Sequence, residues 1–86
     1  MVSKNVTVSN PTGLHARPAS QLTQFCKGFG EKIILSGNGK EIDPKSIIQL
    51  LSAGLKKGTE LVVKVEGDNE QTVCDEVVKF IENLSE

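Results

Sequence analysis

The sequence predicts an α+β fold: an open-faced, two-layer sandwich in which a four-stranded sheet carries three helices on one face, in the order βαββαβα. Three observations lead there. Strand-like segments alternate apolar with polar residues, as Leu61, Val63 and Val65 do, so each has one buried face and one wet face. Between them lie segments whose apolar residues recur at helical spacing, such as Ala19, Leu22 and Cys26. At 86 residues, with 37% hydrophobic and 24% charged side chains, the chain has material for one shared core. A single domain over residues 1–86 is therefore expected.

Taken in order, Val6 and Val8 alternate with Asn5, Thr7 and Ser9, so residues 2–8 read as the first strand, ended by Asn10-Pro11-Thr12-Gly13. From Ala16, the residues Ala19, Leu22, Cys26 and Phe29 share one helical face, widened by Phe25. Pro18 falls in the first turn, where its missing N–H costs nothing, and Gly28 and Gly30 close the helix. Residues 32–36 and 40–42 flank Gly37-Asn38-Gly39, whose tolerance of positive φ suits a tight hairpin. Asp43-Pro44-Lys45-Ser46 has cap chemistry, and Ile47, Ile48, Leu51 and Leu55 follow as the apolar positions of a short second helix, before the stops at Gly54 and Gly58. Leu61, Val63 and Val65 form the fourth strand. After Gly67-Asp68-Asn69, the residues Val73, Val77, Phe80, Ile81 and Leu84 mark a third helix, supported by an Asp75–Lys79 pair at i, i+4.

Composition excludes several classes of function. Three Phe without Tyr or Trp leave an aliphatic core. Ten basic against eleven acidic side chains give a net charge of −1, which removes the electrostatic argument for a nucleic-acid binder, so any anion site must be local. Residues 1–5 carry no long apolar stretch and no apolar run approaches membrane-spanning length; the expectation is a cytoplasmic protein with no membrane insertion. Cys26 and Cys74 lie far apart and outside any C-x-x-C pair, and read as reduced, buried small side chains. A catalytic zinc needs three protein ligands, which one histidine without clustered thiolates does not supply, so neither metal nor cofactor is expected. A serine hydrolase fits poorly as well, because Thr12 or Ser20 near His15 lacks an evident oxyanion hole and orienting acid.

One stretch remains. The only histidine, His15, and the only arginine, Arg17, stand beside a proline-glycine turn and at the start of a helix. There the imidazole lies among unpaired N–H groups at the positive end of the helix dipole, an anion site. The dipole disfavours a second positive charge and so leaves a ring lone pair for nucleophilic attack. Arg17 offers phosphoryl oxygens a planar fork that lysine copies poorly. Alone, an H-x-R pair carries little weight: such a histidine also serves as a cap or a solvated loop residue, and such an arginine as the partner of a surface carboxylate.

The whole string is more specific. N-x-T-G-L-H-A-R-P-A over residues 10–19, followed by K-S-I-I-x-L-L-S-x-G-L-x-K-G over residues 45–58, closely resembles the histidine-containing phosphocarrier (HPr) family of the bacterial phosphoenolpyruvate:sugar phosphotransferase system, and the likeness spans nearly the whole chain. The resemblance implies a phosphoryl carrier, not a turnover enzyme. His15 would accept the group on Nδ1 from enzyme I and pass it to a histidine of enzyme IIA. Thr12, the backbone amides of Ala16 and Arg17, and the Arg17 side chain would cradle the phosphoryl group, with Pro18 fixing the helix start. Ile47 and Leu51, with Ser20 and Lys45, would belong to a docking face, and Lys27, Lys45 and Lys56 would form its basic rim; the competing reading puts all the helix-2 aliphatics in the core. Ser46 reads as an N-cap. Its place also resembles the regulatory serine that HPr kinase/phosphorylase modifies, although Pro44 departs from the non-proline residue expected before it. The resemblance further implies a monomer. A regulatory module read through phospho-Ser46 is the alternative function, and the presence of His15 favours the carrier, since the catabolite-repression HPr-like regulators lack that histidine.

Overall fold

The computed structural model describes residues 1–85, and these contain β1 (Val2–Thr7), α1 (Ala16–Lys27), β2 (Lys32–Gly37), β3 (Lys40–Ile42), α2 (Ile47–Ser52), β4 (Glu60–Glu66) and α3 (Glu70–Glu82). The four strands form one antiparallel sheet in the order β1-β4-β2-β3. Its register aligns Val6 with Leu61 and Leu35 with Val63, which puts the apolar member of each alternation on one face. Val6, Ile33, Leu35, Leu61, Val63 and Val65 are buried there against Leu22 and Cys26 of α1, Leu50 of α2, and Val73, Cys74, Val77 and Ile81 of α3. The opposite face carries Asn5, Lys64 and Glu41, with a Lys64–Glu41 ion pair at 3.3 Å. This is the open-faced sandwich that the alternation predicts.

The hairpin turns on Asn38 and Gly39, whose φ angles of 52° and 75° give the left-handed pair that matches strand twist. Pairing then stops at Ile42. The next position to bond Ile33 is Pro44, which has no N–H to donate, and the chain leaves the sheet there. Asp43 closes the turn, accepting Lys45 N at 2.9 Å on its side chain and Ser46 N at 3.0 Å on its carbonyl.

Three expectations need correction. Leu55 lies beyond α2, and the helix is anchored by Leu50, a residue the expected apolar positions omit; Ile47, Ile48 and Leu51 face outward, against the competing reading that put all of them in the core, because a six-residue helix presents about one side chain to it. Asp75 makes its ion pair with Lys4 of β1 at 2.9 Å, leaving Lys79 only a weaker, longer-range influence. Leu84 packs half-buried after α3 has ended, and Phe29 likewise follows α1. Phe25 stacks on Phe80 with centroids 4.5 Å apart and meets Phe29 edge-on at 5.2 Å, so all three phenylalanines seal the α1–α3 side. Cys26 and Cys74 are free and buried, and desolvation pushes the Cys26 thiol up to about 12, as expected for packing residues.

Candidate functional site

Because β1 and β4 are neighbours, the loop that leaves β1 runs beside the loop that enters β4. Val8 is tied to this neighbour through both backbone groups, its N–H donating to Thr59 O at 2.9 Å and its carbonyl accepting Gly58 N at 2.6 Å. Six residues later Leu14 N donates to Leu55 O at 2.8 Å. Between these feet Gly13 adopts φ +67°, and a Cβ there would lie 2.5 Å from Leu55 O and 2.9 Å from Lys56 Cα. Only glycine permits that approach. Asn10, 1% exposed, closes the loop from inside: its Nδ2 donates to Gly13 O at 2.7 Å and its carbonyl accepts Gly13 N at 3.1 Å.

His15 follows as the N-cap of α1, with extended φ and ψ of −87° and −167°. Its carbonyl accepts Ala19 N at 2.7 Å, but its side chain makes no capping bond and the residue is exposed. The N–H groups of Ala16 and Arg17 belong to the first turn, while Pro18 has no N–H and is buried, seating that turn on the core. Arg17, Thr12 and Ser20 are exposed on the same end of α1. The Thr12 hydroxyl reaches Gly13 O at 3.4 Å. Among the described residues no three His, Cys, Asp or Glu side chains gather into a metal-binding group.

The charge around this end is one-sided. Residues 1–30 and 44–59, which supply the His15 loop, α1, α2 and the loop after it, contain Arg17, Lys27, Lys45, Lys56 and Lys57 besides Lys4, and no Asp or Glu. A net charge of −1 thus conceals an uneven distribution, with the α1 and α2 segments basic and the acidic residues in α3, the strands and their turns.

On that face α2 exposes Ile47 by 36%, Ile48 by 73% and Leu51 by 45%. Ile48, the most exposed, stands outside the docking residues that the sequence suggests; the six-residue length of α2 was the missing signal. Lys45 is placed differently from the basic rim expected of it: its ammonium is half-buried and donates to Phe29 O at 2.7 Å and Glu31 O at 3.0 Å, tying the start of α2 to the end of α1. Lys27 and Lys56 remain exposed. Ser46 caps α2, accepting Gln49 N at 3.4 Å, and the Gln49 side chain in turn accepts Asp43 N at 2.9 Å. Lys45 thus reaches the chain just beyond the C-terminus of α1, while Leu55, after α2, bonds Leu14 just before its N-terminus.

Comparison with known proteins gives this geometry its context. Residues 2–83 match the family model described as the phosphotransferase-system HPr component phosphorylation site. The chain is 34% identical over 84 residues to the phosphocarrier protein HPr of Haemophilus influenzae, covering 98% of this chain and 99% of that one, and 37% identical over 82 residues to the HPr-like protein Crh of Halalkalibacterium halodurans, covering 95% and 98%. The crystal structure of HPr-C-His from Thermoanaerobacter tengcongensis superimposes with a TM-score of 0.89 at 33% identity, over 95% of this chain and 92% of that one. The chain therefore belongs to the HPr family, carriers and not enzymes, which pass a phosphoryl group from enzyme I to enzyme IIA of the bacterial phosphotransferase system.

Proposed function

We propose that His15 is the residue that carries the phosphoryl group in this chain, and that Thr12, the Ala16 and Arg17 amides, the Arg17 guanidinium and the Pro18-fixed helix start form its cradle. One observation carries the reading: an exposed imidazole, taking no part in capping, stands at the N-terminus of α1 beside Arg17, in a loop and helix whose residues 1–30 include no Asp or Glu. In the transfer a ring nitrogen of His15 directs its lone pair at phosphorus, a new N–P bond forms, and the bond to the donor histidine of enzyme I breaks with its electron pair returning to that ring. The same step in reverse sense delivers the group to the acceptor histidine of enzyme IIA. Positive charge at the helix start and on Arg17 balances the phosphoryl oxygens throughout. Exposed Ile47, Ile48 and Leu51, with Ser20 beside the loop, supply an apolar docking patch, and Lys27, Lys56 and Lys57 its basic surround. The chain works as a monomeric single domain in the bacterial cytoplasm.

Ser46 supports a second, regulatory reading with HPr kinase/phosphorylase as the modifying partner. The 3.4 Å cap contact of its hydroxyl is long and easily given up, and the hydroxyl borders the exposed aliphatics. A phosphate there would set about two negative charges beside the exposed Ile47, Ile48 and Leu51, and so act on docking. Incubation with enzyme I and phosphoenolpyruvate tests the main reading. It requires an acid-labile, base-stable phosphate on His15, and stable, folded protein that acquires none refutes it.

A further inference from the structure

The Gly13–Leu14 peptide unit is gripped at both ends. Its carbonyl oxygen receives the Asn10 side-chain amide at 2.7 Å, and its N–H, that of Leu14, donates to Leu55 O at 2.8 Å. Glycine leaves such a unit unusually free to rotate, because no Cβ opposes the alternative φ and ψ. Here rotation would reverse both the carbonyl and the N–H, one residue before His15. Leu55 O alone restrains one end of the unit. Asn10 restrains the other, and does so from a fully enclosed position, with its own backbone carbonyl holding Gly13 N at 3.1 Å. Its Oδ1 is buried without a hydrogen-bond partner, so the residue spends an unsatisfied acceptor to place one donor. A side chain selected for packing alone would be apolar at this position.

We propose that Asn10 is a positioning residue for phosphoryl transfer: it locks the Gly13–Leu14 peptide against flipping and thereby fixes the direction in which His15 and the Ala16 and Arg17 amides meet the incoming group. This rests on His15 being the acceptor. The docking residues of α2 lie elsewhere on the face, so the Asn10 contribution falls on the transfer step and not on recognition of enzyme I. Misplacing a reacting group by a fraction of its working geometry is costly even when every chemical group is retained.

The test compares wild type, Asn10→Ala and Asn10→Asp. The alanine variant loses the donor; the aspartate variant sets a carboxylate oxygen against Gly13 O in its place. Steady-state phosphorylation by enzyme I, run below each variant's melting transition, is expected to show kcat lowered by roughly tenfold in Asn10→Ala and further in Asn10→Asp, with KM for enzyme I within about twofold of wild type. Amide hydrogen exchange, which needs no enzyme I, should show Leu14 N–H losing protection in both variants while the β4 amides keep theirs. Wild-type kcat in a folded Asn10→Ala protein overturns the proposal, as does a rise in KM at unchanged kcat or unchanged Leu14 protection. Should both variants unfold, Leu14 exchange in the wild type decides: exchange at the rate of an unstructured loop overturns the lock. Failure of wild type to accept phosphate would instead refute the assignment of His15, leaving the exchange result to judge Asn10 separately.

Discussion

Two glycines with nearly the same backbone angle make a controlled comparison of what the His15 loop requires. Gly13 has φ +67° and Gly39 has φ +75°, so an alanine at either position meets the same intrinsic left-handed penalty, about 1–2 kcal/mol. Their surroundings differ. A Cβ at Gly39 meets nothing within 4 Å, whereas at Gly13 it would sit 2.5 Å from Leu55 O and 2.9 Å from Lys56 Cα, both backbone atoms that cannot rotate aside. The loop must lift, and the Leu14 N–Leu55 O bond stretches or breaks, a further loss of about 1 kcal/mol, with the packing of Leu14 beneath it disturbed as well. Gly39→Ala should therefore cost about 1 kcal/mol and Gly13→Ala about 3 kcal/mol. For a chain of this size that corresponds to a fall in melting temperature of about 4–8 °C for the first and about 12–24 °C for the second. Urea unfolding checks the energies, and phosphorylation by enzyme I should be slowed in Gly13→Ala alone. Equal destabilisation of the two variants would refute the claim that close approach to the 55–56 backbone, and not the turn angle, holds this loop.

His15→Ala should abolish phosphoryl acceptance with an unchanged melting temperature, and Arg17→Ala should slow transfer more than Arg17→Lys, which keeps the charge and loses the fork; equal rates for wild type and both Arg17 variants would remove that side chain from the cradle. Leu50→Ala should cost about 2–5 kcal/mol of stability, whereas Ile48→Ala should leave stability within about 0.5 kcal/mol and weaken enzyme I binding about tenfold, a reversal read by thermal melting beside a binding titration. Ion pairing to the N-terminus and to Lys4 lowers the folded-state carboxyls of Glu70 and Asp75, so their contribution is present above the unfolded carboxylate range, about pH 4, and is lost as pH falls below it. Acid melting curves should thus converge for wild type and Asp75→Asn, and salt should shrink their difference at neutral pH. Burial raises the Cys26 thiol to about 12, so stability should fall as pH rises from the ordinary thiol value of 9.0 toward 12, and alkylation of Cys26 at pH 8 should track global unfolding.

What was legible in the sequence was local. The alternation at Leu61, Val63 and Val65 specified a half-buried strand, Asn38-Gly39 specified the hairpin between β2 and β3, and Pro18 with Gly28 bounded α1, because each depends on a few adjacent residues obeying backbone sterics. What was illegible was any partnership between distant segments. Asp75 had a lysine four residues along its own helix and took one from β1; Lys45 resembled a surface cation and turned out to join two helices through backbone carbonyls. Asn10 read as a turn residue, and nothing in its neighbourhood announced that it would be enclosed. The two readings left open for the α2 aliphatics have a different origin. A periodic stripe can be assigned to the core only when the helix is long enough to have two distinct sides, and Ile47–Ser52 is not.

A carrier faces a constraint that a hydrolase does not: the group it accepts must survive until the next partner arrives. Water attacks a phosphoryl group efficiently when a base withdraws its proton, and the segments that build this site, residues 1–30 and 44–59, offer no carboxylate to do so. They also offer no second histidine. Arg17 and the helix start can hold the charge of the phosphoryl oxygens, but neither removes a proton from water. Under the proposed function, selectivity comes from bringing an acceptor histidine into line, a matter of docking, for which the Ile47, Ile48 and Leu51 that α2 leaves uncovered are the proposed apolar surface. The rigid loop and the bare chemistry are complementary. With no base to choose the nucleophile, the proposed lock on the His15 loop and the shape of the surface around it would be what separates transfer from loss.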